Sequence, residues 1–570
     1  MDDAQRCRFP CAILPRYCAL RTKPFGVAAL PPARRIAPLS LLVLAVFVSA
    51  PAQAQKKPAD LVISGGSIYD GSSARPVKGD VAILGDRIVY VGPSARNPYK
   101  GTRTIDAKGQ IVAPGFIDPH THADAFLMGK SAEERLILPW MMQGATTIFT
   151  GVDGYGQPGG KVAVSKLFEH VEGQKTGLNI ATYVGFGAVR GSVIGAQDRP
   201  PTADELEKMK GLVATGMCEG ALGLSAGLFY APQSFAKTDE VVAVAREAGK
   251  RGGVYDTHQR DESSYTIGVM NSTREAISIG RDAGMPVHFA HLKVLGIDVH
   301  GKAAELVSII EEARSKGQDV TADQYPWEAS GSGLEPALLP RWALDGGREA
   351  MLARFANPAD LARIRTEMVE NLRRRGGAQS LLLTAPGHEW TGKRLSEIAA
   401  VWNVDPIDAA LRIIRESATG SSVVSFNMAE DDIKLLMRQP WVTTSSDGSA
   451  GHPRMYATFP QKYAKYVLQE RAISLADFIN SSTGRTADTF KLEGRGHLRP
   501  GYFADVVVFD PDGYRPKADY LNPTELATGV TTLLVNGTLA IDGGKPTGSA
   551  AGRAIRHIPT PGSCPAPAAS

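Results

Sequence analysis

The stretch Pro114-Gly-Phe-Ile-Asp-Pro-His-Thr-His122 joins a short apolar segment to two histidines that are two residues apart. In a β-strand, residues i and i+2 point to the same side. His120 and His122 are therefore expected to present two imidazoles to one point, which suits a metal ion with nitrogen ligands. The alternative is that two of the eleven histidines are neighbours by chance, and later strands that end in further metal-binding residues argue against it.

The middle of the chain alternates between strand-like and helix-like segments, the pattern of a parallel α/β domain. At 570 residues the chain suits a barrel of about 250 to 400 residues with a second, smaller domain. Helical periodicity is clear at 240–249 and 304–313. The predicted strands are 117–122, 146–150, 179–183, 222–225, 253–258, 286–293, 319–325 and 441–446. Eight such strands predict an α/β fold with a (β/α)8 TIM-like barrel over residues 114–496.

Both ends of the chain carry short predicted strands joined by tight turns. The first set lies within 58–113 and turns at Gly85-Asp86; the second lies within 497–556 and turns at Asn536-Gly537. Each set is small for an independent sheet. We therefore expect the two ends to meet in one small composite β-sandwich domain beside the barrel.

One connection is far longer than the rest. Residues 327–440 form an excursion of about 110 residues between the last two predicted strands, where a few residues are usual. In a barrel this insertion would lie over the mouth, so we expect a lid-like or substrate-shaping role. An oligomer contact is the alternative.

The first 54 residues have the pattern of a signal peptide. An apolar run at 36–50 follows Arg34-Arg35 and leads into Ala52-Gln-Ala54, a small-residue cleavage site. The run is short for a membrane span, although a retained anchor is the alternative. We therefore expect export to the periplasm or medium after cleavage near Ala54, with no stable membrane insertion.

Removal of this leader changes the charge balance. It carries seven basic and two acidic residues, so the mature chain has 56 basic and 57 acidic residues and a net charge of −1. That balance gives no basic surface for a nucleic-acid partner. Only Cys218 and Cys564 remain, and Cys564 lies in a Pro/Ala/Ser-rich tail at 557–570 that is expected to be disordered. No disulfide framework is therefore predicted.

In a (β/α)8 barrel, functional residues gather at the C-terminal ends of the strands. Those ends supply nitrogen and oxygen ligands suited to Zn²⁺ or a similar divalent ion. Strand parity at 286–293 places His291 and Lys293 on one face and His288 on the other. The candidate metal ligands are His120, His122, Asp153, His258, His291 and Asp447.

Several motifs together resemble the amidohydrolase superfamily and, within it, the D-aminoacylases, also called N-acyl-D-amino-acid deacylases. The resemblance runs from about residue 58 to 556. Its motifs are Pro114-Gly-Phe-Ile-Asp-Pro-His-Thr-His122, Gly223-Leu-Ser-Ala-Gly-Leu228, Thr257-His-Gln-Arg-Asp-Glu262, Ala290-His-Leu-Lys293, Asp323-Gln-Tyr-Pro326, Ser446-Asp-Gly448 and His452-Pro-Arg454. The first motif is typical of the whole superfamily, and the others are more specific to the deacylases.

The resemblance implies metal-dependent hydrolysis of the amide bond of small N-acyl-D-amino acids. It implies that His258 and His291 hold a tightly bound Zn²⁺, and that His120 and His122 belong to a second, weaker position. Asp447 would act as general acid and base. The groups that hold the substrate carboxylate would be Lys293, Tyr325 and Arg454.

The turn after the second strand departs from the family pattern. The deacylases usually carry a cysteine there, whereas this chain has Asp153 in Val152-Asp-Gly154. A carboxylate can bridge two metals but is a harder ligand than a thiolate, so other divalent ions can compete with zinc. A purely structural role for Asp153 in the turn is the alternative.

Three other functions fit part of the pattern. A dipeptidase acting before a D-residue would share nearly all of the chemistry. A dihydroorotase- or hydantoinase-like cyclic amidase usually needs a carboxylated lysine, and the only lysine at a predicted strand end is Lys293. A non-catalytic binding protein would have no use for Asp447. The sequence predicts neither the acyl group nor the oligomeric state, and the D preference comes from the resemblance alone.

Overall fold

The computed structural model describes Ala29 and residues 56–155, 163–417 and 419–565. Apart from Ala29, the predicted signal peptide lies outside the described residues. Within the described ranges, no helix combines the length and apolar character needed to cross a bilayer.

The strands are β1 (Lys57–Ile68), β2 (Val77–Leu84), β3 (Arg87–Gly92), β4 (Tyr99–Asp106), β5 (Ile111–Pro114), β6 (Phe116–Asp118), β7 (Ala145–Thr150), β8 (Asn179–Thr182), β9 (Val184–Gly185), β10 (Gly223–Gly227), β11 (Val254–His258), β12 (Val287–Phe289), β13 (Val320–Gln324), β14 (Ala329–Gly333), β15 (Leu381–Leu383), β16 (Ser422–Phe426), β17 (Val442–Thr444), β18 (Val506–Phe509), β19 (Val530–Val535), β20 (Thr538–Asp542) and β21 (Lys545–Pro546).

The helices are α1 (Asp124–Leu127), α2 (Leu138–Met141), α3 (Val164–Gln174), α4 (Phe186–Ile194), α5 (Ala203–Cys218), α6 (Thr238–Gly249), α7 (Val269–Ala283), α8 (Ala303–Ser315), α9 (Leu334–Leu338), α10 (Gly347–Ala356), α11 (Pro358–Arg374), α12 (Leu395–Trp402), α13 (Pro406–Glu416), α14 (Glu430–Met437), α15 (Arg454–Gln461), α16 (Leu475–Ser482) and α17 (Gly484–Thr489). A π-helical segment, Lys462–Gln469, continues α15.

The two ends of the chain form one nine-stranded sheet, which confirms the predicted composite β domain. Strand β5, before the barrel, pairs antiparallel with β18, after it, and Val506 faces Pro114. Ile63 and Val81 from the first half share a buried cluster with Val508 and Leu534 from the second. Neither half could bury these side chains alone, so the domain depends on both ends.

The barrel has the eight strand positions that the sequence predicts. Strands β6, β7 and β8 pair in parallel, and β8 is followed after one residue by β9, which begins the parallel run β9–β10–β11–β12–β13–β17. A parallel bridge between Thr121 and Gly448 joins the first strand segment to the last. The helices pack outside: α6 buries Val241, Val244, Ala245 and Ala248, the i, i+3, i+4, i+7 stripe of an amphipathic helix.

The long insertion folds around its own apolar core. Its strands form an antiparallel sheet in the order β14–β16–β15. The buried cluster includes Phe355, Met368 and Leu383, contributed by α10, α11 and β15. Helix α11 begins after Asn357, whose side chain accepts hydrogen bonds from the amides of Ala359 and Asp360. The insertion is therefore a built subdomain and not a loose loop.

The end of the chain differs from the sequence prediction. Residues 557–565 are ordered, and Cys564 forms a disulfide with Cys218 at the end of α5. The predictions of a disordered tail there and of no disulfide are both wrong. Composition indicated an unstructured tail, but the two Cα atoms lie 5.7 Å apart across 346 residues of sequence, a proximity that sequence spacing does not reveal. Residues 566–570 lie outside the described part.

Candidate metal centre

The C-terminal ends of the barrel strands bring all six candidate ligands together. The predicted strand 117–122 is regular only as far as Asp118, but the Thr121–Gly448 bridge holds the following residues against the last strand. The amide of Asp447 donates to the carbonyl of His120 at 2.9 Å, and the amide of His122 donates to the carbonyl of Gly448 at 3.0 Å. The residues of this histidine–aspartate cluster are His120, His122, Asp153, His258, His291 and Asp447.

Asp153 lies at the centre of the cluster. Its Oδ1 is 3.4 Å from Nε2 of His120, 3.4 Å from Nε2 of His291 and 3.8 Å from Nδ1 of His258. Its Oδ2 is 3.5 Å from Nε2 of His122. One carboxylate therefore contacts four imidazoles, a placement that suits a bridging ligand better than a residue that only stabilises a turn.

Asp447 closes the cluster on the side of the first strand. Its Oδ1 is 3.3 Å from Nε2 of His122 and 3.8 Å from Nε2 of His120. Its Oδ2 lies 2.8 Å from Nη1 of Arg454. One oxygen of Asp447 thus faces the histidines while the other is held by a guanidinium.

Three of these residues have left-handed backbone conformations. The φ angles are +54° at Asp153, +35° at His291 and +46° at Asp447. Residues other than glycine rarely adopt this region, and such strain collects at functional sites. The turns that follow β7, β12 and β17 therefore aim their side chains inward at some cost in backbone energy.

Charge and burial oppose each other in the cluster. Burial alone would lower the pKa of His122, but the carboxylates of Asp153 and Asp447 outweigh it and raise that pKa to about 10. At His258 burial dominates and lowers the pKa to about 3. Burial would raise the pKa of Asp153, yet the surrounding histidines, His120 foremost, hold it well below its usual range. The carboxylates are therefore ionised at neutral pH.

Glu262, which was not among the residues predicted for the site, contacts two of the histidines. Its Oε1 lies 3.3 Å from Nδ1 of His291, and its Oε2 lies 3.6 Å from Nε2 of His258. The other ring nitrogens of these histidines face Asp153. A carboxylate on the far side of a ligating imidazole fixes its tautomer and orientation. The signal for Glu262 was its place four residues after His258 in Thr257-His-Gln-Arg-Asp-Glu262.

Two further buried aspartates accept hydrogen bonds from residues next to the cluster. Asp118 accepts hydrogen bonds from the Trp140 indole at 2.9 Å and the Ser446 amide at 3.0 Å, and burial raises its pKa to about 7. Asp323 accepts from the amide of His291 at 2.8 Å. His288, predicted to face away from the cluster, lies 3.0 Å from Asp323 through Nε2.

The three predicted substrate-binding residues line the same cavity, which has a volume of about 350 Å³. Lys293 donates to Glu262 at 2.7 Å and lies 2.6 Å from Nδ1 of His291. The guanidinium of Arg454 lies 4.8 Å from the ring centre of Tyr325 and pairs with Asp447. A cavity of this size is at the lower end of small-molecule sites.

The donor atoms fit a divalent cation. Nε2 of His120 and Oδ1 of Asp153 are fully buried, and neither has a hydrogen-bond partner among the described residues. Buried polar atoms are normally satisfied, so such a pair at 3.4 Å calls for an ion between or beside them. Imidazole nitrogens with carboxylate oxygens are a donor set for zinc and similar divalent metals.

Comparison with known proteins agrees with this geometry. Residues 103–540 match the model of a family described as the amidohydrolase family. The chain belongs to the amidohydrolase family. Its sequence is 30% identical to a D-aminoacylase of Alcaligenes xylosoxydans xylosoxydans, over 88% of this chain and 99% of the relative. It is 31% identical to an N-acyl-D-aspartate deacylase of the same organism, over 87% and 93% of the two chains.

Solved structures place this amidohydrolase in the D-aminoacylase branch. A D-aminoacylase crystal structure superposes with a TM-score of 0.74 at 31% identity and covers 88% of this chain and all of the other. An N-acyl-D-glutamate deacylase from Bordetella bronchiseptica, complexed with zinc and a phosphonate mimic of the tetrahedral intermediate, has the same TM-score at 28% identity and the same coverage. A D-hydantoinase at 16% identity and a TM-score of 0.52 shares the fold only.

Proposed function

We propose that this amidohydrolase cleaves the amide bond of N-acyl-D-amino acids, releasing a carboxylate and a free D-amino acid. The observation that carries the proposal is the buried carboxylate of Asp153 within 3.8 Å of four histidines. Relatives that match over nearly the whole chain are D-aminoacylases and N-acyl-D-amino-acid deacylases, which supports the choice of substrate. The cyclic amidases share the fold alone and are not favoured.

Zn²⁺ is the metal we propose, held tightly by His258, His291 and Asp153, with His120 and His122 forming a second position. When bound, such an ion lowers the pKa of coordinated water and polarises an amide carbonyl. Asp153 makes the donor set harder than the thiolate of the related enzymes would, so Mn²⁺ or Co²⁺ is expected to substitute more readily.

Asp447 is the proposed general acid and base. Its Oδ1 faces the histidines, and its Oδ2 is fixed by Arg454 at 2.8 Å, so the carboxylate has one free direction for proton transfer. It would accept a proton from the attacking water and deliver it to the leaving nitrogen. Lys293, Tyr325 and Arg454 line the cavity beside it and would hold the α-carboxylate through ammonium, hydroxyl and guanidinium donors.

We also propose that the enzyme is exported after removal of residues 1–54. The apolar run and the Ala52-Gln-Ala54 site support this placement. The Cys218–Cys564 disulfide adds support, because such bonds persist in oxidising compartments.

The test is reconstitution of metal-free protein. Apoprotein receives one and then two equivalents of Zn²⁺, Mn²⁺ or Co²⁺ and is assayed on matched N-acetyl-D- and N-acetyl-L-amino acids. The proposal expects metal-dependent release of the D-amino acid and at least about 100-fold lower kcat/KM for the L-enantiomer, a ratio within reach of a shaped pocket. Equal rates on both enantiomers, or activity only on cyclic amides, would overturn it.

A further inference from the structure

The cavity has a second end, formed by the insertion. Three cationic side chains line the cavity: Lys293, Arg375 and Arg454. Lys293 pairs with Glu262 at 2.7 Å and Arg454 pairs with Asp447 at 2.8 Å. Among the residues that the structure describes, Arg375 has no carboxylate within 4.0 Å.

Arg375 follows helix α11 and is only 2% exposed. Its Nε donates to the hydroxyl of Tyr265 at 2.6 Å, and its Nη1 donates to Oγ of Ser425 at 3.0 Å. These partners are neutral, and Nη2 has no hydrogen bond in the described part of the chain. A buried guanidinium keeps its charge, because arginine does not deprotonate in proteins, so it is unfavourable there without a counter-ion.

A second guanidinium makes this end more positive. Arg341 stacks on the ring of Phe229 with its Cζ 4.0 Å from the ring centre, and its Nη1 donates to the carbonyl of Pro336. It likewise has no carboxylate within 4.0 Å among the described residues. Burial lowers the pKa of Arg341 to about 10, and the charge of Arg375 contributes to the shift. The nearby acid Asp261 is already saturated by the amides of Ser263, Thr266 and Gly268.

Aromatic rings connect this insertion end of the cavity to the end that carries the histidine–aspartate cluster, which we call the metal end. The Phe229 ring lies 5.5 Å from the His258 ring and 5.5 Å from the Tyr265 ring, whose hydroxyl contacts Arg375. Phe229 and Tyr265 both line the cavity, so a ligand can pass along them from the cluster to Arg375. A small substrate can therefore reach both ends.

We propose that Arg375 binds a second carboxylate on the substrate, so that the preferred substrates are N-acyl-D-amino acids with an additional anionic group. This inference rests on the proposed function and names the substrate class within it. The second carboxylate can belong to the amino-acid side chain, as in aspartate and glutamate derivatives, or to a dicarboxylic acyl group. A guanidinium can offer a carboxylate two parallel N–H donors, which makes arginine selective for this group.

The decisive comparison uses isosteric substrates. N-acetyl-D-glutamate is compared with N-acetyl-D-glutamine for the side-chain source, and N-succinyl-D-alanine with N-succinamoyl-D-alanine for the acyl source. We expect the wild type to prefer one anionic member by about 100-fold in kcat/KM, mostly through KM, since a buried charged partner rejects an analogue that leaves it unpaired. The arm that shows the preference identifies the source. A wild type that turns over both neutral members as well as the anionic ones overturns the inference.

The matching variants are Arg375→Met and Arg375→Lys, with Arg374→Gln as the control. Arg374 neighbours Arg375 but pairs with Glu370 at 3.4 Å and does not line the cavity. Arg375→Met should lose about 100-fold on the preferred anionic substrate and change less than threefold on its neutral partner, and Arg375→Lys should recover part of the loss. Equal losses on both substrates would assign Arg375 to structure alone and overturn the inference.

The inference can fail separately from the proposed function. If no substrate is turned over, the inference about Arg375 can still be tested by calorimetry. The experiment measures the binding of N-acetyl-D-glutamate and N-acetyl-D-glutamine to the wild type and to Arg375→Met. Tighter binding of the glutamate derivative that disappears in the variant supports it without catalysis. The inference would be overturned, even if the enzyme proves to be a deacylase, by equal affinities of the wild type for both members of each pair: N-acetyl-D-glutamate and N-acetyl-D-glutamine, and N-succinyl-D-alanine and N-succinamoyl-D-alanine.

Discussion

The two ends of the cavity balance their charges differently. At the metal end, the carboxylates of Asp153, Glu262 and Asp447 face imidazoles, an ammonium and a guanidinium within 4 Å. At the insertion end, the side chain of Arg375 has only the hydroxyls of Tyr265 and Ser425 as hydrogen-bond partners among the residues that the structure describes. At the first end Lys293 and Arg454 each have a carboxylate partner. Among the described residues, the guanidinium of Arg375 at the second end has none within 4.0 Å. Under the proposed function, the barrel would supply the chemistry and the insertion would supply the selection between substrates.

The largest expected loss of activity comes from a substitution at the metal end. Asp447→Asn should lower kcat by about 10²- to 10⁴-fold, the usual contribution of a general acid–base group. Because Asp447 pairs with Arg454 and not with Arg375, the loss should be the same for anionic and neutral substrates. Steady-state kinetics on the paired substrates measures this, with metal content and thermal melting as controls for folding. Near-normal turnover would remove Asp447 from its proposed role.

A smaller effect is expected from Glu262, which contacts two of the candidate metal ligands. Glu262→Gln should weaken metal binding by about 10- to 100-fold, because it removes the carboxylate behind His258 and His291. Competition with a chelator measures the affinity, and selectivity between anionic and neutral substrates should not change. The same substitution at Glu207, a surface residue paired with Lys210, is the matched control. Unaltered metal affinity would mean that Glu262 serves only as the partner of Lys293.

The smallest effect concerns a buried cation that can lose its charge. Lys462 is 1% exposed and donates to Oγ1 of Thr444 at 2.7 Å, and burial lowers its pKa to about 7. The unfolded chain binds more protons between that pKa and about 10.4, so stability should rise as pH rises through this window.

Thermal melts of wild type and Lys462→Met between pH 6 and 10 test this expectation. The variant should gain a few degrees over the wild type at pH 6, and the gain should shrink towards pH 10. A constant difference across the range would show that the ammonium is adequately solvated. Lys462 would then keep its charge in the folded protein, as Arg375 does. The two buried cations would no longer differ in whether burial can neutralise them.

Local sequence pattern was enough to predict which residues meet in the histidine–aspartate cluster. Strand parity selected His291 over His288, and the ends of alternating strands selected Asp153 and Asp447, since parallel strands bring their C-terminal ends to one edge. Helices α6 and α8 were likewise predicted from their apolar period and are confirmed.

The insertion end could not be predicted in this way. The position of the insertion between the last two predicted strands indicated that it lies over the barrel mouth. No periodicity indicated that Arg375, which follows α11, is a residue that reaches the cavity. Glu262 follows His258 in a loop, where the side-chain direction depends on the path of the backbone. The Cys218–Cys564 pair depends on contacts across the whole chain.

The pairing of β5 with β18 has a consequence for biosynthesis. Pro114 meets Val506, 392 residues later, and no earlier segment of the described chain takes that edge of the sheet. At a synthesis rate of about 5 to 20 residues per second, the first five strands wait roughly 20 to 80 seconds for their partner. A ribosome-bound chain thus carries an apolar sheet without its β18 partner while the barrel is translated, and we expect its N-terminal strands to be prone to aggregation during that time.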